Sequence, residues 1–165
     1  MGKENSFDVV SQVDVQELDN AYQQAKKEII QRYDLKNSGS ELDFDKGKLC
    51  FSVLAPSDFV CEQVIDVLAS KLIRRGIELN AIKWGQPISA SGGKVKKTGQ
   101  VINGIDKELA SKISKDIRAE HPKVKPLIEG DKLRVVSTSI DALQAVIASL
   151  KDKDYGQPLQ YINYR

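Results

Sequence analysis

Histidine is nearly missing from this chain: His121 is the single one in 165 residues. Cysteine occurs twice, as Cys50 and Cys61. So few sulfur and imidazole ligands do not build a zinc site of the usual types, and no metal is expected. Cys50 falls in a strand-like run and Cys61 in a helix-like run, each among apolar neighbours, which reads as reduced, buried thiols rather than a disulfide. The glycine patterns of phosphate-binding loops are absent too. Gly92-Gly93-Lys94 carries neither the spacing of a P-loop nor that of a dinucleotide fold, so no cofactor is expected. No apolar run approaches the roughly 20 residues that span a bilayer, and MGKENSFDVV lacks the apolar stretch of an export signal. The expectation is a cytoplasmic protein with no membrane partner. Charge of one sign is not in excess either, with 25 basic residues against 23 acidic. Binding to a polyanion must therefore come from local clustering. Carboxylates are plentiful but lie on polar helix faces, and with a lone histidine no catalytic set is legible. The reading is a non-enzyme.

What is present is periodicity. SFDVVSQVD (6–14) alternates as a half-buried strand with Phe7, Val9 and Val13 on one face. Asp14, with Glu17 three residues on, caps a helix whose stripe runs Leu18, Tyr22, Ala25, Ile29, Tyr33. LDFD and KLCFSVL form a hairpin around Lys46-Gly47. Pro56 and Ser57 open a second helix on Val60, Val64, Leu68 and Leu72, which Gly76 closes in a left-handed cap. IELNAIKW is a short last strand. The order then restarts after GQPISASGGK (85–94), the one obvious linker. VKKTGQVI is a strand with a weak core face and an internal Gly99. Ile105, Leu109, Ile113 and Ile117 mark a helix, VKPLIE and KLRVVS a hairpin, Leu143, Val146, Ile147 and Leu150 a helix, and LQYINY a strand.

The chain thus says β-α-β-β-α-β twice. Lys48-Leu49 answers to Lys132-Leu133, and Val64-Ile65-x-x-Leu68 to Val146-Ile147-x-x-Leu150. This is an α+β tandem repeat of two ferredoxin-like sandwiches, each with two helices on one face of a four-stranded antiparallel sheet. The expected domains are residues 1–88 and 89–165. Either first strand, SFDVVSQVD or VKKTGQVI, is physically able to pair with either sheet.

A sheet of this kind has a helix-free face. In KLRVVS, Leu133 and Val135 point to the helices, leaving Lys132 and Arg134 on the free side with Val136. Lys123 and Lys125 alternate with Val124 and share that side, and Lys96 and Lys97 on the first strand of the repeat add to it. Of Tyr161 and Tyr164, one reaches the free face. Cations for phosphates and a ring for a base are what a nucleotide or nucleic acid needs. Lysine on exposed strands also guards against edge pairing, and an arginine here is equally a surface partner of Glu129. The RNA-recognition-motif pattern of glycines and aromatics is not matched by KLCFSVL or KLRVVST. Lys71, Arg74 and Arg75 close a helix, where its dipole explains them. The competing class is a protein-interaction module that uses the free sheet face.

From Ser6 to Arg165 the stretches SFDVVSQVD, RYDLKN, LIRRGIE, IEGDKLRV, DALQAVIASL and GQPLQYINYR resemble the YajQ family of bacterial nucleotide-binding proteins. The resemblance implies paired ferredoxin-like domains that exchange their first strands, and binding of nucleotide or nucleic acid, RNA included. In some members it implies a link to cyclic di-GMP, and it implies no established catalysis. A monomer is expected. Two departures stand out: Ser137-Thr138-Ser139 replaces the family's cations before Asp141-x-Leu143-Gln144, and Tyr33-Asp34-Leu35-Lys36 replaces a segment with two phenylalanines.

Overall fold

The computed structural model describes residues 3–165. In chain order it holds β1 (Asn5–Val10), α1 (Val15–Gln31), β2 (Glu41–Asp45), β3 (Cys50–Ala55), α2 (Asp58–Arg74), β4 (Ile82–Trp84), β5 (Ile88–Ser89) and β6 (Val95–Val101). There follow α3 (Lys107–Glu120), β7 (Lys125–Glu129), β8 (Lys132–Ser137), α4 (Ile140–Lys151) and β9 (Gln160–Ile162). Among the described residues no helix is long and apolar enough to cross a membrane.

The chain forms two compact units. A middle unit is Val13–Ile102, and a terminal unit joins the residues up to Gln12 with Asn103–Arg165. The terminal sheet runs β7-β8-β1-β9 and the middle sheet β2-β3-β6-β4, with β5 also paired to β6. Every strand pair is antiparallel. Both units are ferredoxin-like, and the first strands are exchanged: β1 is central in the terminal sheet, and β6 is central in the middle one. The division at 88/89 follows the sequence repeats and differs from the compact units for this reason. Residues 85–94, read from the sequence as a linker, belong to the middle unit. Ile88 and Ser89 pair with Lys96 and Val95, and the Ala90 N–H donates to the Lys94 carbonyl at 2.8 Å.

Side-chain volume accounts for which strand sits where. β1 sends Phe7 and Val9, both fully buried, into the core of α3 and α4 beside Ile113, Ile117, Leu133 and Val146. Burying each contributes about 1.5–3 kcal/mol. β6 instead presents small Gly99 between Phe51 on β3 and Trp84 on β4. A Cβ there would lie 2.8 Å from both Ile82 and Trp84 side-chain atoms. The middle core is correspondingly aromatic: Phe44 stacks on Phe51 at 4.4 Å and tilts against Tyr22 at 6.0 Å.

The helices begin on side-chain caps. Asp14 accepts from the N–H groups of Gln16 and Glu17, Ser57 from Val60, Asp106 from Leu109 and Ser139 from Ala142. Glu17 does not close a reciprocal capping box. Its carboxylate accepts from Asn20 and lies 3.7 Å from Arg75. Tyr33, expected on the buried stripe, lies past the end of α1 and is 89% exposed, while Leu35 takes the buried place. Arg32 breaks the helix into extended backbone at φ −72, ψ 129, which turns the next side chain outward.

Candidate functional site

Asp8 lies between two core residues of β1, so alternation puts it on the helix-free face of the terminal sheet. Register places it opposite Arg134 on β8 and Ile162 on β9, and Arg134 in turn opposite Leu127 on β7. The row Leu127–Arg134–Asp8–Ile162 therefore crosses all four strands on one face. Asp8 is only 2% exposed, and three side chains converge on it. Asn163 Nδ2 donates to Oδ2 at 2.9 Å, Lys132 Nζ to Oδ2 at 3.4 Å, and Arg134 Nε to Oδ1 at 3.4 Å.

Burial by itself would push the Asp8 carboxyl up. The donors from Asn163 and Lys132, the Lys132 charge and the Arg134 donor outweigh it and hold the group below the ordinary aspartate value. The carboxylate is thus a fixed anchor for two cations that keep about a third of their own surface in solvent. Arg134 also lies 3.8 Å from Glu129. Its terminal guanidinium nitrogens make no hydrogen bond among the described residues, so the outer edge of the fork is open to another acceptor.

Lys125 stands opposite Val136 on this same face. Lys123 precedes the strand, and its carbonyl accepts from Ser137 Oγ. Both lysines are exposed and have no ion-pair partner among the described residues. Leu127, Val136 and Ile162 give the face an apolar component.

Four of the eight residues expected at the site are therefore in one unit and on or beside one face: Lys123, Lys125, Lys132 and Arg134. The others are not. Lys96 and Lys97 ride on β6 and so belong to the middle sheet. Lys97 pairs with core-facing Val53 and turns onto α2, where its ammonium meets Glu62 at 2.7 Å. Lys96 faces the helix-free side of that other sheet, opposite Leu54.

Tyr161 is opposite Val9 and meets Phe7 edge-on at 6.1 Å, on the helix side. Tyr164, expected to share a face with Ile162, also flanks Phe7 at 6.1 Å. Asn163 is the cause. It adopts φ +58, and because Asp8 pairs with Ile162 while Ser6 bonds with Arg165, two residues oppose Phe7. This bulge shifts the alternation by one, sending Tyr164 to the helix side and the Asn163 amide to Asp8. Neither tyrosine supplies a ring to the cationic face.

Asp8 and Asn163 escaped the sequence reading. The available signal was an aspartate inside FDVV, a charged residue at a central position of an otherwise apolar strand.

Over residues 5–165 the chain matches the protein family described as "Nucleotide-binding protein YajQ-like". Its relatives include a protein of Nocardia farcinica that is 48% identical, covering 98% of this chain and 99% of its own. One of Chloroflexus aggregans is 47% identical over the whole of both chains, and one of Oleidesulfovibrio alaskensis is 45% identical, covering 97% and 98%. Each of the three is named a nucleotide-binding protein.

Proposed function

This chain belongs to the YajQ-like family, and from that membership we propose that it binds a nucleotide or nucleic acid on the helix-free face of its terminal sheet, without performing chemistry on it. The observation that carries the site is the Asp8-anchored pair Lys132 and Arg134. A cation held in place by a buried carboxylate loses less side-chain freedom when a phosphate arrives than one free in solvent. The open edge of the Arg134 guanidinium suits a phosphate or the O6/N7 edge of guanine. Leu127, Val136 and Ile162 offer an apolar seat for a base, and Lys123 and Lys125 lie toward one end for further phosphates.

The same cluster argues for binding rather than catalysis. Asp8 is held ionised by three donors, and a carboxylate with a depressed pKa is a poor general base near neutrality. A cyclic dinucleotide of guanine, which combines phosphates with guanine edges, is the first ligand to test. The protein acts on this reading as a cytoplasmic monomer.

Isothermal titration of the full chain with cyclic di-GMP, GTP and ATP checks the proposal. At least one should bind, and Arg134→Ala should weaken it by more than tenfold, equivalent to about 1.4 kcal/mol. Unchanged affinity in both Arg134→Ala and Lys132→Ala would remove the site from this face. Failure of every nucleotide, with capture of a protein partner that Arg134→Ala abolishes, would favour the protein-interaction reading.

A further inference from the structure

The middle unit carries a second cationic feature, on its helical side. Antiparallel α1 and α2 leave a groove of about 490 Å³ lined by Gln24, Lys27, Glu28, Gln31, Lys71, Arg74 and Arg75. Four cations face one acid there. Lys71 closes on Glu28 at 2.8 Å with its side chain only 11% exposed, and Arg75 leans on Glu17 at 3.7 Å. These pairs consume both neighbouring carboxylates. Lys27 on α1 and Arg74 on α2 are exposed and have no ion-pair partner among the described residues, so the two walls of the groove each offer an uncommitted cation. A helix dipole accounts for cations in the last turn of α2, but not for Lys27 across the groove.

At the other end of the helix pair two aromatic rings are left in solvent, Phe59 at 73% exposure and Tyr33 at 89%. Gln63, one turn after Phe59, donates to Asp34 at 3.4 Å and ties the first turns of α2 to the segment that holds Tyr33. The Lys36 ammonium lies 5.9 Å from the Tyr33 ring centre. From Phe59 to Arg74 the rise of α2 is about 22 Å, at about 1.5 Å per residue. Other acids near this path are Asp34, which pairs with Arg32 at 2.7 Å, Glu62, held by Lys97, and the exposed Asp58 and Asp66 of α2, one beside Phe59 and one about two turns after it.

We propose that the α1–α2 groove of the middle unit binds a single strand of nucleic acid, with backbone phosphates on Lys27 and Arg74 and bases stacked on Phe59 and Tyr33. Exposed rings beyond a cationic groove match a ligand that alternates phosphate with a flat base. Rings that stack on flat bases favour a nucleic acid over an acidic peptide, and an anionic membrane, whose interface also takes aromatic rings, is set apart by the vesicle measurement below. The surface is separate from the sheet-face site of the terminal unit and does not depend on it.

Fluorescence anisotropy of a labelled decauridylate with the full chain, measured across a salt series, tests this. The double variant K27A/R74A removes unpaired surface cations and should leave the fold intact by circular dichroism. Its affinity should fall at least tenfold, and its log–log salt slope should flatten by about 1.4, or about 0.7 for each lost single-strand phosphate. Phe59→Ala should weaken binding several-fold with the salt slope unchanged. Arg134→Ala should weaken nucleotide binding without this pattern, which separates the two sites. The groove proposal is overturned if the oligonucleotide does not bind, or if it binds K27A/R74A as it binds the parent. It is equally overturned if only Arg134→Ala releases it, or if anionic vesicles bind through Lys27 and Arg74 while the oligonucleotide does not.

Discussion

Asp8 and Arg134 face each other across adjacent antiparallel strands, 3.4 Å from Oδ1 to Nε, although they are separated by 126 residues of sequence. The carboxylate is buried and the guanidinium is partly in solvent, so the acid is the fixed member of the pair. Asp8→Asn should lower unfolding stability by about 1–3 kcal/mol in urea melts, because three donors lose a charged acceptor. The pH dependence follows from the depressed carboxyl. The stabilisation is fully present above the unfolded-state value near 3.9 and is lost as pH falls through the lower folded value. The urea midpoints of the parent and Asp8→Asn should therefore converge in acid below about pH 4. A gap that stays constant into strong acid would show that the charge of Asp8 is not what stabilises.

Gly99→Ala should destabilise the middle unit by about 1–3 kcal/mol, the usual cost of overpacking. The added methyl meets Ile82 and Trp84 at 2.8 Å. Trp84 is the only tryptophan in the chain, so its emission should shift along with the melting temperature. A variant as stable as the parent would mean that the Trp84 ring has room to move.

Strand exchange makes a prediction about fragments. A chain ending at Gly93 lacks β6, which bridges β3 and β4. It should fail to unfold cooperatively in urea. Residues 13–102 keep β2, β3, β6 and β4 together and should give a cooperative transition. The reverse pair of results would contradict the exchanged topology.

The two thiols should differ in reactivity. Cys61 is 1% exposed; burial first, and the Glu62 charge next, push its thiol up, leaving little thiolate. Cys50 is half-buried on β3. One thiol per chain, Cys50, should react with an aromatic disulfide in the native state, and both in denaturant. A Cys50→Ser variant that still reacts at the parent's rate would refute this.

Apart from the two-residue β5, the element order, both fold repeats and the facing of Lys132 and Arg134 were legible because they depend on local periodicity. Leu133 and Val135 must seek the core, so their neighbours must not. The same rule misplaced Tyr164, since one residue of positive φ at Asn163 resets the alternation for everything after it. It also read Lys97 as a surface cation, whereas partnership with Glu62 lets it lie on the helix side of its sheet.

The sequence by itself determined two β-α-β-β-α-β layers, their helix stripes and the family to which they belong. Tertiary structure decided between the strand pairings that periodicity left open, in favour of the exchange that the family resemblance implies, and it alone decided that Asp8 anchors Lys132 and Arg134 and that Lys27 and Arg74 line one groove. Periodicity along a strand or helix specifies which way a side chain points. Which distant residue it meets depends on pairing and packing between segments far apart in the chain, and no local pattern records that.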